Sequence, residues 1–130
     1  MIVEEPIADR YGFRYRDWDI YIDARKYRME IKKLIKIFPE EEKYALSSQT
    51  NRALISIVLN IAESANRNSD KDTRVFINRA HTSLDEVVGC MDCALDDKYI
   101  SVEQHDFALQ NAQSLAKRLR KFYQHLSVGQ

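Results

Sequence analysis

Residues 38–63 read FPEEEKYALSSQTNRALISIVLNIAE, and this stretch decides the fold. Pro39 has no amide proton and pushes Phe38 out of helical geometry, so one helix must stop there and another begin afterwards. The second predicted helix runs from about Lys43 to Asn66, with Leu46, Ala53, Leu54, Ile57 and Ile61 on its inward face. Gln49, Arg52, Ser56, Asn60 and Glu63 step by three, four, four and three along the same helix. They form one polar stripe on an otherwise apolar element. Such a stripe belongs at a subunit seam or in a buried network, where every member needs a partner. Bonds along the helix are expected between Arg52 and Ser56 and between Asn60 and Glu63.

Working outward, Ile20, Ala24, Tyr27, Ile31, Leu34 and Phe38 alternate at spacings of four and three, which is one face of a first helix from about Tyr15 or Asp17 to Ile37. Asn66-Arg67-Asn68-Ser69 marks the end of the second helix. Ser69 or Asp70 can cap a third, whose apolar residues Phe76, Ile77, Ala80, Leu84, Val87, Val88, Met91, Ala94 and Leu95 carry it to about Asp96. Ser101-Val102-Glu103-Gln104 matches a capping box and opens a fourth, on which Ala108, Ala112, Leu115, Leu119, Phe122 and Leu126 keep a four-three rhythm. Long helices joined by short loops predict an all-α, antiparallel up-down-up-down four-helix bundle. Residues 1–14 are expected as a short N-terminal arm and residues 15–127 as the bundle.

A chain of 130 residues, 45% hydrophobic and 31% charged, is one domain with enough apolar mass for a core. No apolar run approaches a membrane span, and the acidic first residues do not resemble a secretory signal. With two cysteines and no disulfide framework, a reducing cytoplasm is the expected compartment. Lys plus Arg and Asp plus Glu each number 20, so the net charge is zero. The distribution is uneven, however. Nine bases and four acids lie between Arg10 and Lys36, seven acids and one base between Asp85 and Asp106, and four bases with no acid from Phe107 onward. Antiparallel topology turns this into a spatial polarity. One end of the bundle should gather Arg10, Arg14, Arg16, Arg67, Lys71, Arg74, Lys117, Arg118, Arg120 and Lys121, while the other holds Asp92, Asp96, Asp97, Glu103 and Asp106. Helix dipoles favour part of that arrangement. A phosphate-binding surface is the functional alternative.

Catalytic and metal chemistry find little support. Cys90-Met91-Asp92-Cys93 is a C-x-x-C motif late inside a helix, where the dipole does not activate a thiol and no second ligand pair follows. The Glu-x-x-His pairs of di-iron bundles are absent. His81, near Arg79 and Ser83, lacks an orienting acid at a recognisable distance and reads as a surface or satisfied core residue. Neither a cofactor nor an enzymatic activity is expected. Six aromatic residues, Tyr11, Phe13, Tyr15, Trp18, Tyr21 and Tyr27, crowd the start of the chain, more than one helix face can bury. Tyr15, Trp18 and Tyr21 are candidates for a subunit contact. Alternation with Arg10, Arg14 and Arg16 also suits stacking on unpaired bases.

Several of these residues fall in one order: Tyr15-x-x-Trp18-x-Ile20-Tyr21-x-x-Ala24, Phe38-Pro39, Glu42, Tyr44-Ala45-Leu46, Gln49, Arg52, Ser56-Ile57, Asn60-Ile61-Ala62-Glu63, Phe76, Arg79-Ala80, Ser83-Leu84-Asp85-Glu86 and Tyr99-Ile100-Ser101. The series resembles a bacterial four-helix-bundle family encoded within intervening sequences of large-subunit (23S) ribosomal RNA genes. Two positions depart from it: Val58-Leu59 stands where the family often has a proline, and Ser64 where it often has glycine. The resemblance implies a homo-oligomeric ring, typically a pentamer, without established catalysis. It also implies distant similarity to the accessory variability determinant of diversity-generating retroelements, a basic pentameric barrel that binds reverse transcriptase and nucleic acid. On that basis the expected role is an accessory factor for RNA, DNA or a nucleic-acid-processing protein, with no membrane association. The rival is a scaffold for protein contacts without nucleic-acid affinity.

Overall fold

The computed structural model describes residues 9–126 and consists of four helices: α1 (Asp19–Ile35), α2 (Leu46–Ser64), α3 (Asp70–Asp96) and α4 (Val102–His125). Among the described residues the backbone of α1 approaches α2 and α4, that of α3 approaches α2 and α4, and the backbones of the diagonal pairs stay apart. That is a square, up-down-up-down bundle with α2 and α3 as its closest pair. Residues 1–8 of the expected arm lie outside the described residues.

The apolar stripes meet as predicted. Ile31, Leu54, Leu84 and Leu119, one from each helix, are at most 1% exposed and belong to a single core. Tyr27 joins them, its ring buried at 4% exposure and its hydroxyl without a hydrogen-bond partner. Burial raises the pKa of that phenol. Two polar residues are also buried and satisfy themselves along their own helix. Thr50 Oγ1 donates to Leu46 O at 2.7 Å, and Ser64 Oγ donates to Ile61 O at 2.7 Å. Ser64 is the last residue of α2.

Helix starts follow local chemistry. Ser69 Oγ accepts from the Asp72 amide at the head of α3, and Ser101 with Gln104 forms the complete capping box of α4. The first two helices begin later than predicted. Arg14–Asp17 form a 3-10 turn, and Trp18 is extended, so α1 waits until Asp19. Glu40–Glu42 form another 3-10 turn after Pro39, and the Glu42 carboxylate accepts from the Leu46 amide where α2 opens.

The two loops at the acidic end are locked together. Lys98 closes α3 at φ 64, with Lys98 N donating to Leu95 O and Tyr99 N to Ala94 O. This is a Schellman closure with lysine at the position glycine usually holds. It delivers Ile100 into the core and lays Tyr99 against Phe38, with ring centroids 5.9 Å apart. The Tyr99 hydroxyl donates to Glu42 Oε2 at 2.6 Å. That bond, more than the Leu46 amide, holds the Glu42 carboxyl below its ordinary value. The same bond is the main cause that pushes Tyr99 up to about 12.

Replacing Lys98 by Gly should raise stability by about 1 kcal/mol, because a Cβ in left-handed geometry costs about that much. A chemical-denaturation midpoint that does not move would contradict the assignment. The Tyr99–Glu42 contact also has a pH signature. The Glu42 share of its stabilisation exists above the ordinary carboxylate range and is lost as pH falls through the depressed value. The Tyr99 share exists below 10.0 and is lost as pH rises towards about 12. Wild type should therefore exceed Tyr99→Phe in melting temperature by most near neutrality. The gap should shrink as pH falls below the ordinary carboxylate range and again above about pH 11.

Candidate nucleic-acid interface

Antiparallel packing places the head of α1 beside the tail of α4, and an open groove of about 690 Å³ lies between them. Trp18 and Phe122 line it, their rings 5.1 Å apart at a 43° tilt. Lys117, Arg118, Lys121 and His125 line it too, with Gln110, Gln113 and Ser114 further along α4. Lys117 and Lys121 are four residues apart, hence on one helix face, and both are exposed. Arg118 is committed elsewhere: its Nε lies 3.0 Å from Asp23 Oδ2, a charge contact across to α1.

The remaining basic candidates do not share that groove. Arg14 sits in the first 3-10 turn and lines a smaller hollow with Gly12, Phe13, Tyr15, Trp18, Ala65 and Asn66. Arg16 is paired with Asp9, and its guanidinium stands 5.7 Å from the Tyr11 ring. Asp9 also accepts from the Tyr11 and Phe13 amides, building the turn in which Gly12 takes φ 90. Lys71 is exposed on the first turn of α3. Arg67 lies over Phe76 at 4.6 Å, and Arg79 lies over the same ring at 4.8 Å. Arg74 and Arg120 face a different hollow, between α3 and α4, where Arg74 sits 3.8 Å over the Tyr123 ring. The basic end therefore presents several separate patches.

The N-terminal aromatic residues divide. Tyr15 packs edge-on against Trp18 at 6.5 Å and Tyr21 at 4.9 Å, and all three are half-buried in their own chain. Tyr11 and Phe13 stay exposed. On α2 the polar stripe splits as well. Gln49 bonds to Glu86 of α3, and Ser56 Oγ meets Ser83 Oγ at 2.8 Å, which makes a polar seam inside the chain. Asn60 Nδ2 donates back to Ser56 O at 2.9 Å and Ser56 Oγ at 3.0 Å, in place of the expected bond to Glu63. Ser56 has α3 as its partner where Arg52 was expected. Arg52 and Glu63 are exposed beside Ile55 and Leu59.

The cysteines point apart. Cys90 is buried and Cys93 exposed. Burial pushes the Cys90 thiol up, opposite to an activated nucleophile. Among the described residues no group of three or more His, Cys, Asp or Glu could hold a metal ion, and no helix is long and apolar enough to cross a membrane. His105 instead links α4 to α3 through Asp92 at 2.7 Å. His81 is neither a free surface residue nor a satisfied core one. Its Nδ1 lies 3.6 Å from Asp85, while its Nε2 is buried without a partner. His81 was expected to lack an acid at a recognisable distance, yet Asp85 one turn along α3 lies beside it, and no spacing announced that Tyr123 would carry Arg74.

Comparison with known proteins places these features in context. A sequence model described as 23S rRNA-intervening sequence protein matches residues 16–121. No curated protein matches the chain. A crystal structure of a protein with unknown function from the S23 ribosomal protein family of Bacteroides thetaiotaomicron superposes with a TM-score of 0.73 at 22% identity, covering 80% of this chain and 97% of that one. At that identity the likeness establishes the fold.

Proposed function

The chain belongs to the 23S rRNA-intervening sequence protein family, and on that premise we propose that it acts as a non-enzymatic, homo-oligomeric accessory factor that binds nucleic acid, RNA above all. The observation that carries this reading is the Trp18–Phe122 pair in a groove flanked by Lys117 and Lys121. An aromatic platform beside lysines is the arrangement single-stranded nucleic acid requires, because bases stack on the rings while cations meet the phosphates. Duplex binding needs no platform. Two free cysteines fit a cytoplasmic setting.

The self-association half of the proposal rests on the outer face of α2. Ile55 and Leu59 are exposed there at 37% and 51%, bracketed by Arg52 and Glu63. An apolar strip between opposite charges suits a ring contact, with the charges fixing register. The resemblance to ring-forming relatives suggests five copies. A scaffold without nucleic-acid affinity would use this same strip and leave the groove idle.

Two measurements separate these readings. Lys117→Gln with Lys121→Gln should weaken binding of a single-stranded RNA roughly tenfold and reduce the slope of log affinity against log salt by about 1.4. Arg118 is left intact because it holds Asp23. Unaltered affinity and slope would exclude the groove. Light scattering should give a multiple of the chain mass for wild type and a folded monomer for Ile55→Arg with Leu59→Arg. A wild-type monomer would end the ring proposal.

A further inference from the structure

We infer that the α3–α4 side of one copy is the docking surface for the outer face of α2 on the next. The inference rests on the self-association proposed above and gives it two different surfaces of the chain. The levels of the helices carry the argument. Gln49 meets Glu86 and Ser56 meets Ser83, so Arg52, between them on α2, stands level with Asp85 on α3. His105 meets Asp92, and counting away from that contact sets Asp85 level with Ala112 on α4. Seven residues beyond Ser56 comes Glu63, level with Phe76 on α3 and, by the same count, with Arg120 on α4. Each helix rises about 1.5 Å per residue, so these levels hold along the bundle.

The α3–α4 side carries the complementary pattern at those levels. Two open hollows, of about 410 and 460 Å³, follow one another along it. Asp85 lines the first with Val88, Leu109 and Ala116, and Arg120 lines the second with Ile77 and Leu119. Arg120 is exposed, and the Asp85 side chain stays 71% exposed although His81 stands 3.6 Å away. A neighbour at the same height and pointing the same way brings Arg52 to Asp85 and Glu63 to Arg120, with Ile55 and Leu59 over the hollows between. Inverted, the same neighbour would set Arg52 against Arg120 and Glu63 against Asp85, so charge fixes the direction. Equal height means no rise from one copy to the next, and the α2 corner of the square does not lie opposite the α3–α4 face. Repeated contacts therefore turn without climbing, which gives a closed ring and not a helical filament. The strip paired with itself across a two-fold axis would also join Arg52 to Glu63, but it would stop at a dimer and leave both hollows uncovered.

Light scattering over a dilution series, with circular dichroism to verify folding, decides between these contacts. Arg52→Asp and Asp85→Arg should each raise the concentration at which the assembly half dissociates about tenfold, because like charges then meet. Both changes in one chain should return it to within about threefold of wild type. Glu63→Arg with Arg120→Glu repeats the exchange at the other end and keeps the test sound if one of the first variants folds poorly. A wild-type dimer that Arg52→Asp weakens and added Asp85→Arg does not rescue would overturn the proposal in favour of strip against strip. Assembly lost in Ile55→Arg with Leu59→Arg yet indifferent to Asp85→Arg and Arg120→Glu would overturn the α3–α4 face and leave self-association standing. A wild-type monomer would overturn both.

Discussion

No helix in this protein can cover its apolar stripe against one neighbour, and the rest of the structure follows from that constraint. Because all four helices contribute to one core, the residues along the axis are covered only when all four are present. Leu54, Leu84, Ile31 and Leu119 each lose essentially all contact with water, a burial worth about 1.5–3 kcal/mol per side chain before entropy is charged against it. Cooperative assembly of this kind leaves the loops little latitude. The loop after α3 must reverse within a few residues, and it does so even with lysine in left-handed geometry, because Ile100 then reaches the core and Tyr99 reaches Glu42.

Closeness is not uniform around the square. Between α2 and α3 the residues at the seam are small or polar, as with Ser56 against Ser83, and the backbones approach. Between α4 and its neighbours lie open hollows, lined by long side chains such as Arg118, Phe122 and Tyr123. α2 and α3 form a dense half, and α4 is the element around which open space collects.

Helix identity, the inward residues and both predicted caps were legible in the sequence because each rests on local chemistry: period, a β-region cap with a serine oxygen, a proline stop. Boundaries near Tyr15 and Lys43 were not. In both places a 3-10 turn continues a helical pattern that the backbone does not follow. The basic end was legible as topology, since alternating direction alone brings the head of α1 to the tail of α4. Its partition into separate patches was not, because that depends on which cation finds an aromatic ring or a carboxylate across a helix boundary. Arg74 on Tyr123, Arg118 on Asp23 and Arg16 on Asp9 are pairings between distant positions, or across a turn, that no spacing rule announces. The α2 stripe shows the same limit. Its period was plain, yet whether Ser56 would meet Arg52 or Ser83 depended on how closely α3 packs.

Alternation of helix direction has one more effect, on the electric field outside the molecule. At the basic end two helices begin and two finish, so partial charges of about +0.5 and −0.5 occur in equal number and largely cancel. The backbone contributes almost nothing to the potential there. Its sign and strength are set by flexible side chains on the rim, whose replacement does not touch the core. The bundle thus separates architecture from electrostatics: the surface can be made attractive, neutral or repellent to a polyanion while the same four stripes continue to specify the same fold.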